Sequence, residues 1–93
     1  MAITCDPAKR QVTLAQRGLD FEDAVVVFDG TTVDQDDDRR DYGEKRIITA
    51  GLLRDRLVIV VWTQRGEDRH VISMRKANDR EKALYLPRIN RSP

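Results

Sequence analysis

Arg65, Arg69, His70, Arg75, Lys76, Arg80, Glu81, Lys82 and Tyr85 crowd into one short stretch toward the end of a 93-residue chain. Cations dominate that set, joined by one carboxylate, one imidazole and one phenol. Such a mixture suits metal-free cleavage of an RNA phosphodiester. There the 2′-hydroxyl attacks the neighbouring phosphorus, arginines stabilise the charge that builds on the phosphate oxygens, and a carboxylate, histidine or perturbed lysine moves the proton. Other chemistries lack their residues. The chain has one histidine, and Cys5 is far from it in sequence, which argues against serine or cysteine nucleophile triads. Zinc lacks ligands, and no glycine-rich phosphate loop follows a strand. Asp36, Asp37 and Asp38 are not followed by the glycine turn and distal glutamate of a calcium loop. Neither a metal nor a cofactor is therefore expected.

The elements that must hold these groups can be read on either side of them. Leu57 to Trp62 is apolar at every position and β-branched at four, so it predicts a central strand. Arg65 to Arg69, with Gly66, predicts a short loop, and His70 to Arg75 a second strand of a hairpin. Strict alternation along that strand puts Val71, Ser73 and Arg75 on one face and His70, Ile72 and Met74 on the other. Asn78 followed by Glu81 is a capping pair that opens a helix, and Pro87 is expected to close it. Glu81 and Tyr85, four apart, share a helix face. Arg75, Glu81 and Tyr85 are thus candidates to converge where strand passes into helix, although the same spacing also fits a structural ion pair. His70 beside Ile72 and Met74 reads first as a partly buried histidine and second as a proton carrier. Trp62 and Tyr42 read as packing groups.

Upstream, Asp6-Pro7 is a helix start, and Ala8, Val12, Ala15 and Leu19 draw one apolar stripe before Gly18 ends the helix. Asp20 can cap a second helix with Phe21, Ala24, Val25 and Phe28 on one side, stopped by Asp29 and Gly30. Both stripes need a sheet to cover. Thr31 to Val33 leans toward strand, Asp34 to Asp41 reads as an exposed acidic loop, and Ile47 to Leu53 as a strand joined to the central one by an Arg54-Asp55 turn. The expected fold is α+β: one domain over residues 1–93, with two N-terminal helices packed on an antiparallel sheet of three to four strands, then a C-terminal helix.

The net charge of +1 hides an asymmetry, because residues 20–46 hold ten acids against four bases and residues 47–93 ten bases against five acids. The basic half attracts phosphate polyanions or an acidic partner. With so few aromatic residues, a partner protein is expected to supply part of the burial. A lone cysteine fits a reducing compartment. No apolar run approaches the roughly 18–20 residues that span a bilayer, so no membrane contact is expected and the cytoplasm is the expected location.

Five segments in order carry a resemblance: Asp6-Pro-Ala-Lys-Arg10; Gly18-Leu-Asp-Phe-Glu-Asp-Ala24 with Phe28; Arg39-Arg-Asp-Tyr-Gly-Glu-Lys-Arg46; Thr63-Gln-Arg65; and Val71-Ile-Ser-Met-Arg-Lys-Ala77 with Glu81 and Tyr85. From about Ile3 to Tyr85 the chain resembles the BrnT toxins of bacterial type II toxin–antitoxin pairs. The resemblance implies a RelE/ParE-like fold and a ribonuclease that arrests translation, with RNA as its target, either free or on the ribosome. It implies a BrnA-like antitoxin whose ribbon-helix-helix part binds operator DNA, so that the toxin meets DNA only through it. By position, Arg75 is the arginine of the family's Ile-Ser-x-Arg segment, Arg65 the arginine after the central strand, and Glu81 and Tyr85 the helix pair. The expected catalytic set is Arg75, Arg65, Glu81, Tyr85 and His70, flanked by Arg69, Lys76 and Arg80 to bind RNA. The basic surface around Arg65, Arg69 and Arg75 is expected to receive the antitoxin. Thr13 and Gln16-Arg17-Gly18 stand where the family commonly has Asn and Lys-His-Gly, and His70 where it usually has arginine. The rival reading is a non-nucleolytic binding module, a co-repressor with its antitoxin or a ParE-like inhibitor of a host protein.

Overall fold

A computed structural model describes residues 2–39, 41 and 43–90; Tyr42, read above as a packing group, lies outside them. The apolar run forms the middle of a long strand, β4 (Arg56–Arg65), which is preceded by β1 (Ile3–Cys5), α1 (Pro7–Arg17), a single 3-10 turn (Phe21–Asp23), α2 (Ala24–Asp29), β2 (Thr32–Asp37) and β3 (Arg46–Leu53). After it come β5 (Asp68–Lys76) and α3 (Asp79–Ile89). The strands form one sheet in the order β1-β5-β4-β3-β2, antiparallel except for β1, which runs parallel to β5.

The α+β class stands, but the sheet has five strands and is mixed, where three to four antiparallel strands were expected. Two strands account for the difference. Ile3–Cys5 is too short to show a period, and it is a strand only because β5 offers it an edge, which puts Cys5 in the sheet beside Val71. Asp34–Asp37 has poor strand propensity, yet it pairs residue for residue with β3, and Asp34 accepts a hydrogen bond from Thr49 Oγ1 at 2.7 Å. Tertiary pairing overrides propensity there.

Every residue from Leu57 to Thr63 is buried, which confirms β4 as the central strand. One face of the sheet packs Val58, Val60 and Trp62 against Leu19, Phe21, Ala24 and Val27; the other packs Leu57, Ile59 and Ala50 against Tyr85 and Ile89 of α3. The helices depart from their expected stripes. A 3-10 turn opens the second helical segment, so the buried residues are Phe21, Ala24 and Val27, three apart, and Val25 is exposed. α1 begins and ends as read, with Asp6 accepting from the Ala8 N–H and Gly18 at φ 68°, but none of its residues is buried. α3 has its full capping box between Asn78 and Glu81, yet it runs through Pro87 to Ile89, whose buried side chain anchors the last turn.

The hairpin turns are tight. Arg54 and Asp55 form the expected two-residue turn, both with positive φ, and the β4–β5 turn shortens to Gly66-Glu67. β5 carries a bulge: Val61 pairs with Ser73 but Trp62 with Val71, which leaves Ile72 as the extra residue. Close approach governs one more position. A Cβ on Gly51 would lie 2.7 Å from Val27 Cγ1 and 3.1 Å from Thr32 Cγ2. Gly51→Ala should therefore force α2 off β3 and cost about 1–3 kcal/mol by overpacking. A urea midpoint unchanged from wild type would show that the interface yields freely.

Candidate functional site

The bulge at Ile72 decides where the polar groups go. Because one extra residue is inserted, Val71 and Met74 both lie in the α1/α2-side core, while Arg75, paired with Ile59, lies on the α3 face. The simple alternation that grouped Val71 with Arg75 and His70 with Met74 is broken. His70 pairs with Thr63, which pairs with Arg46, which pairs with Asp37. This row across the sheet lies on the face that carries Arg75, roughly 13 Å away along β5 at strand rise. The apolar contacts of α3 reach Ile48. Beyond that, the Asp37–Arg46–Thr63–His70 row is polar.

His70 is held by a neighbour the sequence did not point to. Its Nδ1 lies 2.8 Å from Thr4 Oγ1 on β1. Burial depresses its pKa below the ordinary imidazole value, and the Arg65 cation lowers it further while Glu44 opposes. Arg65 lies 3.8 Å from Glu44 and Arg46 3.7 Å from the same carboxylate. Asp37 has a fully buried side chain and takes two hydrogen bonds from the Arg39 guanidinium, at 2.7 and 2.8 Å, and one from the Arg39 backbone N–H at 3.4 Å. Arg65 and Arg46 thus share the Glu44 carboxylate, and Arg65 and Glu44 act in opposite senses on the His70 imidazole.

Arg75 and Glu81 form a second cluster. The two guanidinium Nη groups donate to the two carboxylate oxygens at 2.7 and 2.8 Å, and Glu81 also accepts from the Asn78 N–H. The Arg75 hydrogen bond holds the Glu81 carboxyl below its ordinary range, and Glu81 in turn raises Arg75. Arg39 lies near enough for its charge to oppose that rise. Tyr85 joins this end of the sheet as a core group, buried in the cluster with Ala50, Leu57 and Ile59. Arg80 is exposed in the first turn of α3, while Lys76, paired with Val58, is exposed on the opposite face of the sheet.

Arg69 goes elsewhere. Its guanidinium lies 4.2 Å from the centre of the Phe28 ring and 5.0 Å from that of Trp62, and those two rings meet edge to face at 5.5 Å. Trp62 is a packing group, as read, and its Nε1–H donates to Thr49 at 2.8 Å. The sequence therefore brings together Arg65 with His70, and Arg75 with Glu81 and Tyr85, but not Arg69 with either pair. Thr4, Arg46 and Glu44 were missed. For Arg46 a signal existed: counting outward from the Arg54-Asp55 turn places it opposite Thr63. For Thr4 there was none, since a strand of three residues gives no register. Among the described residues, no group of three or more His, Cys, Asp or Glu side chains could hold a metal ion.

The model of the BrnT family, ribonuclease toxins of type II toxin–antitoxin systems, matches residues 5–81. The chain belongs to the BrnT family. Family membership brings with it an antitoxin partner. Among proteins with curated descriptions, none matches the chain. No helix among the described residues is long and apolar enough to cross a membrane.

The paired geometry makes Glu81 a stabilising group whatever else it does. Glu81→Gln removes the ion pair with a half-exposed Arg75 and weakens the capping box, and should cost about 1–2 kcal/mol at pH 7. The folded carboxyl is depressed, so its contribution is present above the unfolded carboxylate range and is lost as pH falls through the folded value. Thermal melts of the two proteins should thus converge in acid; a gap that persists at low pH would mean that the charge is not its source.

Proposed function

We propose that this BrnT toxin is an endoribonuclease that cleaves RNA without a metal, with His70 as the proton carrier and Arg65 and Arg75 as the cations that hold phosphate. The observation that carries this reading is the imidazole held at 2.8 Å from Thr4 Oγ1 on a polar row of the sheet, where burial and Arg65 lower its pKa. With Nδ1–H donating to Thr4 Oγ1, Nε2 keeps its lone pair and takes the proton of the RNA 2′-hydroxyl. O2′ then bonds to phosphorus, the P–O5′ bond breaks, and the products are a 2′,3′-cyclic phosphate and a 5′-hydroxyl that recovers a proton from the imidazolium or from water. Arg65 meets the charge on the phosphate oxygens, with Arg46 alongside.

Arg75, at its distance from His70, suits a neighbouring phosphate of the same strand. For that role it must share its guanidinium with Glu81, which serves as an ionised anchor rather than as the base. Arg80 extends the cationic track, and Lys76, on the opposite face of the sheet, lies off it. Tyr85 orients the site from beneath, as part of the core that seats α3. Arg69 contributes through stacking and not through RNA. The toxin acts in the cytoplasm on RNA, free or on the ribosome. It is neutralised by a BrnA-like antitoxin, through which alone it reaches operator DNA.

The closed Arg75–Glu81 pair favours a second reading, a binding module without nuclease activity, since both Nη groups are already engaged. Incubation of antitoxin-free protein with a defined RNA in excess EDTA separates the two. The wild type should cleave, His70→Gln should lose about 10²–10⁴-fold in rate, and Arg65→Ala about 10–10³-fold. The acid limb of the rate profile should lie below the ordinary imidazole range and vanish in His70→Gln. Cleavage by His70→Gln at the wild-type rate would remove His70 from the mechanism, and no cleavage by any folded protein, on naked RNA or on ribosomes, would leave the binding module.

A further inference from the structure

α1 is an amphipathic helix of which no residue is buried among the described residues. Val12 and Leu14 are 52% and 45% exposed. Beside α1, the sheet has an open edge. β1 pairs only with Arg69–Val71, so along Ile72–Lys76 no strand lies on the outer side of β5 among the described residues. The Met74 carbonyl oxygen accepts a hydrogen bond from Arg17 Nη1 at 3.0 Å, and so points away from β4 toward α1. One arginine stands where a strand would be, a guard of the kind that keeps sheet edges from pairing promiscuously. Between α1 and β5 runs a groove of about 370 Å³, walled by Val12, Thr13, Gln16 and Arg17 on one side and Ile72 and Ser73 on the other. Lys9 and Arg17 are its charged residues, and none of the residues lining it is acidic.

We infer that the antitoxin docks in this groove, adding an extended segment to the β5 edge along Ile72–Lys76 while Arg17 swings off the Met74 carbonyl. Main-chain hydrogen bonds supply the attachment, and side chains supply the selection: an apolar residue over Val12 and an acidic one beside Lys9 or Arg17. A second copy of this chain is the poorer occupant, because its α1 would bring Lys9, Arg10 and Arg17 and no acid against the same cations. The surface expected from sequence does not compete as one face, since Arg69 turns to the Phe28 and Trp62 rings while Arg75 lies on the α3 face. The inference rests on the chain being a toxin with a protein antitoxin and not on the ribonuclease mechanism.

The test compares the free toxin with its complex with the antitoxin of its pair, by amide hydrogen exchange and by binding affinity. Exchange at Met74 and Lys76 should slow at least tenfold in the complex, and Val12→Asp and Arg17→Glu should each weaken binding at least fivefold while the free toxin keeps its circular dichroism spectrum. Gln16→Glu, an exposed change in the same wall, should act in the same direction if Val12→Asp disturbs α1. Slowing confined to other segments, or groove variants that all bind within fivefold of wild type, would overturn the inference. A toxin that fails to cleave RNA yet shows slowed exchange at this edge would overturn the ribonuclease reading alone; cleavage with an unprotected edge would overturn the docking site alone.

Discussion

Two-sided burial of β4 is the constraint from which the rest of the molecule follows. A strand apolar at every position from Leu57 to Trp62 has to be covered on both faces, so helices must sit on both sides of the sheet. The short 3-10 turn and α2 cover Val58, Val60 and Trp62. α3 covers Leu57 and Ile59 and can do so because Tyr85 and Ile89 fall one turn apart on its inner side. The last turn of α3 survives Pro87 because Ile89 is needed in that core.

On the α3 face the apolar cover ends before the sheet does, and there the bulge at Ile72 acts. Without it, His70 and Arg75 would stand on opposite faces, as five intervening steps in a strand dictate. One inserted residue puts them on the same face, while Val71 and Met74 both reach the opposite core. A local irregularity of the ladder thus assembles the polar surface, and the short β1 completes it by bringing Thr4 to the imidazole.

Arginines that look alike in the sequence have separate physical fates. Arg69 lies against two aromatic rings, Arg75 is locked to Glu81 at a helix start, Arg10 ties α1 to the Asp20 carboxylate and holds that carboxyl low, and Arg65 rests more loosely near Glu44. Stacking and bidentate pairing stiffen a guanidinium; a pair near 4 Å on the surface leaves it available to a ligand. The same reasoning marks α1, whose apolar side faces water beside an unpaired strand edge.

The sequence by itself determined the central strand, both caps of α1, the N-cap of α3, the Arg54-Asp55 turn, the α+β class and the family. Each of these is written in near neighbours: a run of β-branched residues, Asp6 before Pro7, Asn78 three before Glu81. It also placed Arg75 with Glu81, because strand end and helix start are adjacent in the chain. Only tertiary structure decided that the sheet has five strands, since Ile3–Cys5 and Asp34–Asp37 become strands through partners far away in sequence. It alone decided the face of His70, because a bulge leaves no mark in a period of two. And it alone separated Arg69 from Arg65 and Arg75, since what a cation touches depends on the rings and carboxylates that the fold brings to it.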